Sequence, residues 1–368
     1  LTGNMAHPRI RGVTTAMAVY LAATGLGLVL RLGLAGWRLP LPFDHLLHAH
    51  SHALYFGWAA APIVSAALPA ESKWRRWAFV SVVPMTVAFL AQGYGPVSIA
   101  ASAVVMGVFY VGIASWWRTG ERRELTASLA YVILASLGVW ALGALQATGR
   151  GDGLAASLAV HAFLSTFAWS TVLGTIALLG RTGMVDGETV RRVIRWFAAL
   201  AWLFFPLGVV SGPEVPVLGW AARVAGLASL APAVWWLREL WRTRVAALRA
   251  AGGWLAAAVA GLAGVGVGGS EALAWAARPG VVFYLHALLL GYVTSVLAWY
   301  ATARMDVSRP LRWHHIGVAV MMAGVLAPLA GVGRPGAWLA AAGALVVWLA
   351  GWWWTAPAFL PKGEVVAA

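Results

Sequence analysis

The segment Asp44-His45-Leu46-Leu47-His48-Ala49-His50-Ser51-His52-Ala53-Leu54 carries four of the nine histidines of the chain, and it opens an apolar stretch long enough to cross a bilayer. Ionisable side chains inside a membrane span are costly, so a functional role is their default interpretation. Neutral imidazole is also the commonest metal ligand in proteins. The segment therefore predicts a cofactor site at the entrance of a membrane helix.

The spacing of these histidines predicts two directions on that helix. His45, His48 and His52 follow one helical stripe, whereas His50 points roughly to the opposite side. Asp44, just before the first histidine, is the expected N-cap of the helix.

The composition excludes a water-soluble domain. The chain is 61% hydrophobic and only 10% charged, which is typical of a polytopic helical membrane protein. It has no cysteine, so thiolate ligands, iron–sulfur clusters and disulfides are excluded. Any metal chemistry must use histidine, carboxylate or a prosthetic group.

Apolar periodicity predicts an all-α membrane protein with twelve transmembrane helices. No soluble domain fits between the helices, so residues 1–368 are expected to form a single polytopic membrane domain. The predicted spans are residues 12–36, 44–68, 74–92, 96–117, 123–147, 153–180, 190–211, 216–237, 245–268, 279–303, 312–332 and 335–356.

The lysines and arginines that give the chain its net charge of +14 are unequally divided between the two predicted sides of the membrane. Twenty lysines and arginines fall on the N-terminal side and only five on the other, an alternation that holds through all twelve predicted spans. We therefore expect a multi-pass protein of the cell inner membrane with both termini cytoplasmic. The excess charge is a topology signal, so no nucleic-acid partner is expected.

A short motif recurs every four spans. Span 2 reads His52-Ala53-Leu54, span 6 reads His161-Ala162-Phe163 and span 10 reads His286-Ala287-Leu288. Twelve spans thus divide into three four-helix repeats with pseudo-threefold symmetry, at about residues 9–118, 119–237 and 238–358. Each histidine lies eight to ten residues beyond the outer end of its span, so the three are expected at one depth, roughly 12–15 Å into the bilayer.

Two glycines follow these histidines at the same distance. Gly57 follows His52 and Gly291 follows His286 by five residues. Each glycine removes a side chain, either to admit a flat macrocycle or to allow ordinary close packing of helices. The sequence leaves both interpretations open.

Taken together, these features resemble the catalytic subunit of heme-copper oxygen and nitric oxide reductases, which has twelve helices in three arcs with histidines on helices 2, 6 and 10. His48-Ala49-His50-Ser51 followed by Gly57-Trp58 is similar to a His-x-His-Ser…Gly-Trp pattern of the C-type branch, where it lies on helix 10. His50-x-His52…Phe56-Gly57 also resembles a motif of NnrS, a twelve-span heme protein family linked to nitric oxide tolerance. The resemblance covers the topology of the whole chain but only short motifs.

The resemblance implies a low-spin, b-type heme held by His50 or His52 opposite His286. It also implies cationic partners for the heme propionates, for which the candidates are Arg38, Arg150, Arg223 and Arg278. Arg223 stands out because an arginine inside a span needs a partner, although a pair with Glu214 or Glu271 explains it equally well. The implied activity is that of a membrane heme oxidoreductase acting on a diatomic gas, with an electron donor.

The chain departs from the active enzymes of that superfamily at several positions. Span 7 has no histidine for copper, span 10 has one histidine rather than two, and Ser165 stands where the helix 6 tyrosine is expected. Ser51 replaces the glutamate of the NnrS motif. These departures weigh against dioxygen reduction at a copper centre.

The other histidines have several possible roles. His161 is a candidate for a second metal, a second heme or a hydrogen bond to a diatomic ligand. His45 and His48 could form a copper or zinc site together with His52, although a solvated His45 is the plainer interpretation. His314 and His315 are expected at the membrane interface, and His7 in solvent. The alternative function is a transporter or permease whose histidines bind a metal ion or a small solute.

Overall fold

The computed structural model describes residues 13–119, 123–150, 153–203, 216–302 and 307–356, except for some side chains within the helices. In these ranges the chain forms helices and no strand, which confirms the all-α prediction. Eight helices are long and apolar enough to cross a membrane, which supports a multi-pass protein in a lipid bilayer. These candidate spans are Thr14–Leu34, Pro96–Arg118, Thr126–Leu145, Gly153–Arg181, Ala246–Gly264, Pro279–Ala301, Ser308–Ala330 and Arg334–Thr355.

The other four predicted spans lie on shorter or divided helices. The second is divided by a change of winding after His52, the third by a break at Ser81 and the eighth by a break at Ser229. The seventh is helical only from Gly187 to Ala201, and the rest of it falls largely outside the described residues. The count of twelve is therefore not confirmed by the described helices.

The chain divides into two compact units, which are described separately. Unit 1 comprises Leu1–Glu121 and Leu297–Ala368. Its helices are α1 (Val13–Leu34), α2 (Phe43–His52), π1 (Ala53–Ala60), α3 (Ala61–Ala67), α4 (Trp74–Val80), α5 (Val82–Gln92), α6 (Pro96–Thr119), α14 (Ser308–Leu326) and α15 (Arg334–Thr355).

Unit 2 comprises Arg122–Val296. Its helices are α7 (Thr126–Ala147), α8 (Gly153–Arg181), α9 (Gly187–Ala201), α10 (Pro216–Ala228), α11 (Leu230–Arg242), α12 (Ala246–His286) and π2 (Ala287–Val293). Helix α13 (Thr294–Ala301) begins in unit 2 and ends in unit 1.

Two short π-helices interrupt the α-helical winding, and each begins directly after a histidine. Helix π1 follows His52, and helix π2 follows His286. A π-turn lengthens the backbone hydrogen-bond spacing by one residue, and such turns are frequent at functional sites. In π2 the hydroxyl of Thr294 donates a hydrogen bond to the carbonyl of Leu289, 2.9 Å away, so a side chain satisfies part of the altered backbone.

Helix α12 cannot be straight. Its 41 residues would extend about 60 Å at 1.5 Å per residue. However, a Cβ built on Gly291 would lie 2.5 Å from Cγ of Trp254, and one on Gly261 would lie 3.8 Å from the ring of Phe283. The two halves of α12 therefore run antiparallel, as expected for the predicted spans 9 and 10.

Side-chain contacts also fix the direction of α8. The indole of Trp169 donates to the hydroxyl of Tyr284 at 2.7 Å, and Thr175 lies close to the hydroxyl of Tyr292. The later residue of α8 lies near the later of the two tyrosines, so α8 runs parallel to the second half of α12. This is the direction predicted for spans 6 and 10.

Candidate functional site

The histidines of α2 point in the two predicted directions. Nδ1 of His45 lies 3.1 Å from the carbonyl oxygen of Leu90 on α5, and the rings of His48 and His52 contact Phe89 on the same helix. His50 faces α1 instead. The helical stripe read from the sequence is thus present in the structure.

The start of α2 differs from the expectation. The helix begins at Phe43 with Pro42 at the N-cap position, and Asp44 lies within its first turn. The prediction of Asp44 as N-cap is therefore wrong, because proline with its fixed φ can begin a helix without a capping side chain. The carboxylate of Asp44 still lies next to the positive end of the helix dipole.

His52 is the most enclosed histidine of this group, with 8% of its surface exposed. Its Nδ1 lies 2.9 Å from the carbonyl of His48 one turn earlier. A carbonyl can only accept, so Nδ1 carries the proton and Nε2 keeps the lone pair of a neutral imidazole. Phe89 packs against the ring at a centroid distance of 4.1 Å, and Phe56 stacks on it at 5.8 Å. The ring is held in one orientation with its ligand nitrogen defined.

Tyr94 covers Nε2 of His52, the nitrogen that keeps its lone pair. Its hydroxyl lies 3.3 Å from Nε2 of His52, and its ring meets the ring of His48 edge-on at 4.4 Å. Tyr94 itself is 53% exposed. It stands on a tight turn between α5 and α6, where Ser98 donates to the carbonyl of Gly93 at 2.6 Å. The turn thus positions one phenol over two imidazoles.

Gly93 in this turn cannot be replaced without strain. Its φ is +59°, a conformation that glycine adopts readily and other residues rarely adopt. A Cβ there would also lie 2.8 Å from Cδ2 of His45. The turn under Tyr94 therefore depends on this glycine for both its conformation and its packing.

His50 is bound to α1. Its Nδ1 lies 2.7 Å from the carbonyl of Ala23, and its ring rests on Gly27, where a Cβ would lie 2.7 Å from Cε1 of His50. Arg31 lies one turn further along the same face of α1, close enough to act electrostatically on His50. In the sequence, only the four-residue spacing of Gly27 and Arg31 indicates that Arg31 lies near His50.

His286 in unit 2 repeats the arrangement of His52. Its Nδ1 lies 2.8 Å from the carbonyl of Val282 one turn earlier, so its Nε2 is also the acceptor nitrogen. A π-helix follows immediately in both cases. Two histidines in separate units therefore share the same backbone anchor and the same change of winding.

Both glycines that follow these histidines are covered by protein side chains. A Cβ on Gly57 would overlap Val19 and come within 2.9 Å of Val82, and one on Gly291 would overlap Trp254. The space above each glycine is filled by a neighbouring helix, so these glycines serve close packing. The alternative of room for a macrocycle at this point does not hold.

His161 does not match His286 in depth. The side chain of His161 lies outside the described residues, but its backbone belongs to α8. The contacts of Trp169 with Tyr284 and of Thr175 with Tyr292 align α8 with the second half of α12. In that alignment the backbone of His161 is displaced from the level of His286 by roughly 12–15 Å along the common helix direction, toward the N-terminal side. The expectation that these two lie at one depth is therefore wrong.

The alignment of α8 with the second half of α12 indicates Trp169, not His161, as the residue of α8 that corresponds to His286. His52, Trp169 and His286 recur at a constant interval of about 117 residues, and Gly57, Gly174 and Gly291 recur at the same interval. A search for recurring histidines does not find this register, because the second copy has tryptophan at the corresponding position.

The remaining predicted residues are dispersed. Nε of Arg223 is buried without a hydrogen bond to any described residue, and its guanidinium lies 5.2 Å from the ring centroid of Trp220. Glu214 and the side chains of Glu271 and Arg278 lie outside the described residues. Arg38 and Arg150 are exposed.

No complete metal site is formed by protein side chains alone. Within the described ranges, no three His, Asp or Glu side chains gather at metal-binding distance. The His48 and His52 rings are 6.3 Å apart. Of the other candidates, the side chain of His161 is outside the described residues and His286 belongs to unit 2.

His314 is fully buried rather than in contact with solvent. Its Nδ1 lies 3.4 Å from the hydroxyl of Tyr20, and the ring of Tyr20 packs against Trp58 and Trp354 at 4.8 and 5.2 Å. Helix packing from α1, π1 and α15 encloses this pair, which the sequence pattern of α14 alone did not indicate.

The donor set fits an axial ligand of heme better than a closed metal cage. An imidazole that ligates a metal normally donates its other N–H to a carbonyl or a carboxylate, which fixes the ring and raises its basicity. His52 and His286 both have this arrangement. A group bound at Nε2 of His52 would take the place of the Tyr94 hydroxyl.

No protein-family model matches the chain, and no relative is found among curated proteins.

Proposed function

We propose that this chain is a heme-binding integral membrane protein of the heme-copper oxidase and NnrS type, which handles nitric oxide or oxygen or transfers electrons and lacks the helix 7 copper site. His52 in unit 1 and His286 in unit 2 are each a candidate ligand of b-type heme iron. The observation that supports this proposal best is the duplicated arrangement of these two histidines, each anchored through Nδ1 to the preceding turn and followed by a π-helix.

We further propose twelve spans in three four-helix repeats, with both termini on the cytoplasmic side of the inner membrane. The constant interval that relates His52, Trp169 and His286 supports three repeats. The parallel course of α8 and the second half of α12 is also what such repeats require. In this arrangement the second repeat carries tryptophan instead of a ligand.

Heme iron would supply one-electron chemistry and a binding position for a diatomic gas. The protein side chains would control that chemistry. The carbonyl of His48 orients the His52 ring, and Phe56 and Phe89 keep water from its faces. The hydroxyl of Tyr94 is placed to donate a hydrogen bond beside His52.

The proposal is tested on protein purified from heme-replete cells. We expect a Soret absorption band, a pyridine hemochrome of b-type heme and stoichiometric iron. His52→Ala and His286→Ala are each expected to lose heme, whereas His45→Ala, the matched control on the same helix face, is expected to keep it. Wild-type protein without a Soret band would contradict the proposal.

A metal-ion transporter or permease is the second candidate. The observation that favours it is the pairing of His48 and His52 one turn apart with the hydroxyl of Tyr94 beside them, which gives three donor groups for copper or zinc beside the second half of α2. Elemental analysis separates the candidates, because stoichiometric zinc or copper without iron favours transport.

A further inference from the structure

Unit 2 gathers its arginines at one end. Val190 packs on Gly180, so α9 begins where α8 ends, and Leu240 packs on Gly252, so α12 begins where α11 ends. Trp236 of α11 donates a hydrogen bond to the hydroxyl of Tyr292, and Thr175 of α8 lies close to the same hydroxyl. Because α12 folds back, the ends of α8 and α11 and the starts of α9 and α12 share one end of the unit. We call it the basic end; its arginines include Arg191, Arg192, Arg195, Arg238, Arg242 and Arg249.

Among the described residues of unit 2, few such charges lie at the opposite end. Gly138 of α7 packs on the backbone of Ala159 and Phe163, which makes α7 and α8 antiparallel and places Arg150, after α7, at that far end. Arg150 is exposed. It therefore provides a charge of the same kind in the same unit but away from the basic end.

Helix α9 turns arginine and tryptophan outward together. Its buried face consists of Val190, Val193, Ile194, Phe197 and Ala201. On the exposed side, Arg195 is followed by Trp196, which is 56% exposed, and Trp241 on α11 is 58% exposed. Arginine beside tryptophan near the end of apolar helices is the pattern of a membrane interface, where arginine meets phosphate and indole lies at the headgroup level.

We infer that the basic end of unit 2 binds anionic phospholipid headgroups. Arg195 is exposed and precedes the exposed Trp196 in the chain, and it has no ion pair among the described residues. Arg191 and Arg192 are held by one carboxylate, since both reach Glu188 at 2.9 Å. Glu188 therefore competes with a lipid phosphate for two of the arginines. The inference rests on membrane insertion and not on the proposed heme.

The test is a titration of purified full-length protein in detergent with phosphatidylglycerol or phosphatidylcholine, read by native mass spectrometry. We expect tighter binding of phosphatidylglycerol. Arg195→Gln should weaken it about fivefold, as expected for one arginine at an anionic surface. Arg150→Gln, with the same loss of charge at the far end, should change it little.

Glu188→Gln gives a test in the opposite direction. It releases Arg191 and Arg192, so we expect tighter binding of phosphatidylglycerol. Equal binding of the two lipids, equal effects of the Arg195 and Arg150 substitutions, or full displacement of the lipid by millimolar inorganic phosphate would each overturn the inference. Arg150 and Arg195 are exposed and Glu188 is partly exposed, and an unchanged elution volume on size-exclusion chromatography confirms that each variant is folded.

Discussion

The phenolic hydroxyl of Tyr94 lies 3.3 Å from Nε2 of His52, the nitrogen that the proposed function assigns to iron. Tyr94 and an incoming metal therefore compete for one lone pair. Because Tyr94 lies on a short turn held by Ser98 and is half exposed, it can yield without disturbing α2.

The first prediction concerns this competition. Tyr94→Phe removes the hydroxyl and keeps the ring against His48. A neutral hydrogen bond contributes about 0.5–1.5 kcal/mol, so we expect hemin to bind heme-free Tyr94→Phe protein up to about tenfold more tightly than wild type. Absorption titration measures the affinity. Tyr131→Phe, which loses a hydroxyl bonded to Ala198 in unit 2, is the control and should leave hemin affinity unchanged.

The second prediction concerns the glycines that follow the two histidines. Gly57→Ala and Gly291→Ala each drive a methyl group into a packed neighbour, so we expect each to destabilise the fold by about 1–3 kcal/mol. Gly107→Ala on α6 is the control, since nothing lies within 4 Å of its Cβ position. It should be neutral or slightly stabilising, because alanine is the better helix former. Equilibrium unfolding in mixed micelles measures the differences, and equal effects at all three positions would contradict the packing role.

A third prediction separates His50 from His52. His50 is bound to the carbonyl of Ala23 on α1, so His50→Ala should retain heme and lose about 1 kcal/mol of stability. Gly27→Ala should displace the same ring and give a similar loss. If His50→Ala lost heme and His52→Ala retained it, His50 would be the heme ligand and His52 would not.

The fourth prediction concerns the start of α9. The backbone amide of Thr189 donates to Asp186 at 2.8 Å, and this hydrogen bond holds the pKa of Asp186 below its usual range. The resulting stabilisation is complete above the ordinary carboxyl pKa of about 4 and is lost as the pH falls through the lowered value. Hydrogen exchange at Thr189 should therefore accelerate on acidification relative to a helix interior. Asp186→Ala should show fast exchange at every pH.

The sequence predicted those features that depend on local periodicity. The apolar runs locate eight membrane-length helices, and the spacing of the histidines on α2 correctly separates His50 from the other three. Both follow from the fixed geometry of the α-helix, which is a property of the nearest few residues.

Features that depend on long-range packing were predicted less well. The register of α8 is set by contacts such as Trp169 with Tyr284, more than a hundred residues apart, so a motif of three letters could not align His161 correctly. The change to π winding after His52 and His286 depends on neighbouring helices and has no periodic signature. The roles of Gly57 and Gly291 became clear only when the side chains above them were known.

The π winding after His52 has a mechanical consequence. A stretch of π-helix holds one more residue than the α-helix that it replaces, and one residue corresponds to about 100° of rotation about the helix axis. Removing a single residue from Ala53–Ala60 would therefore let the segment tighten to ordinary α winding, and the helix on either side would largely keep its angular position. The π stretch thus absorbs the rotation that one surplus amino acid would otherwise impose on α3, which packs against α4 and α6.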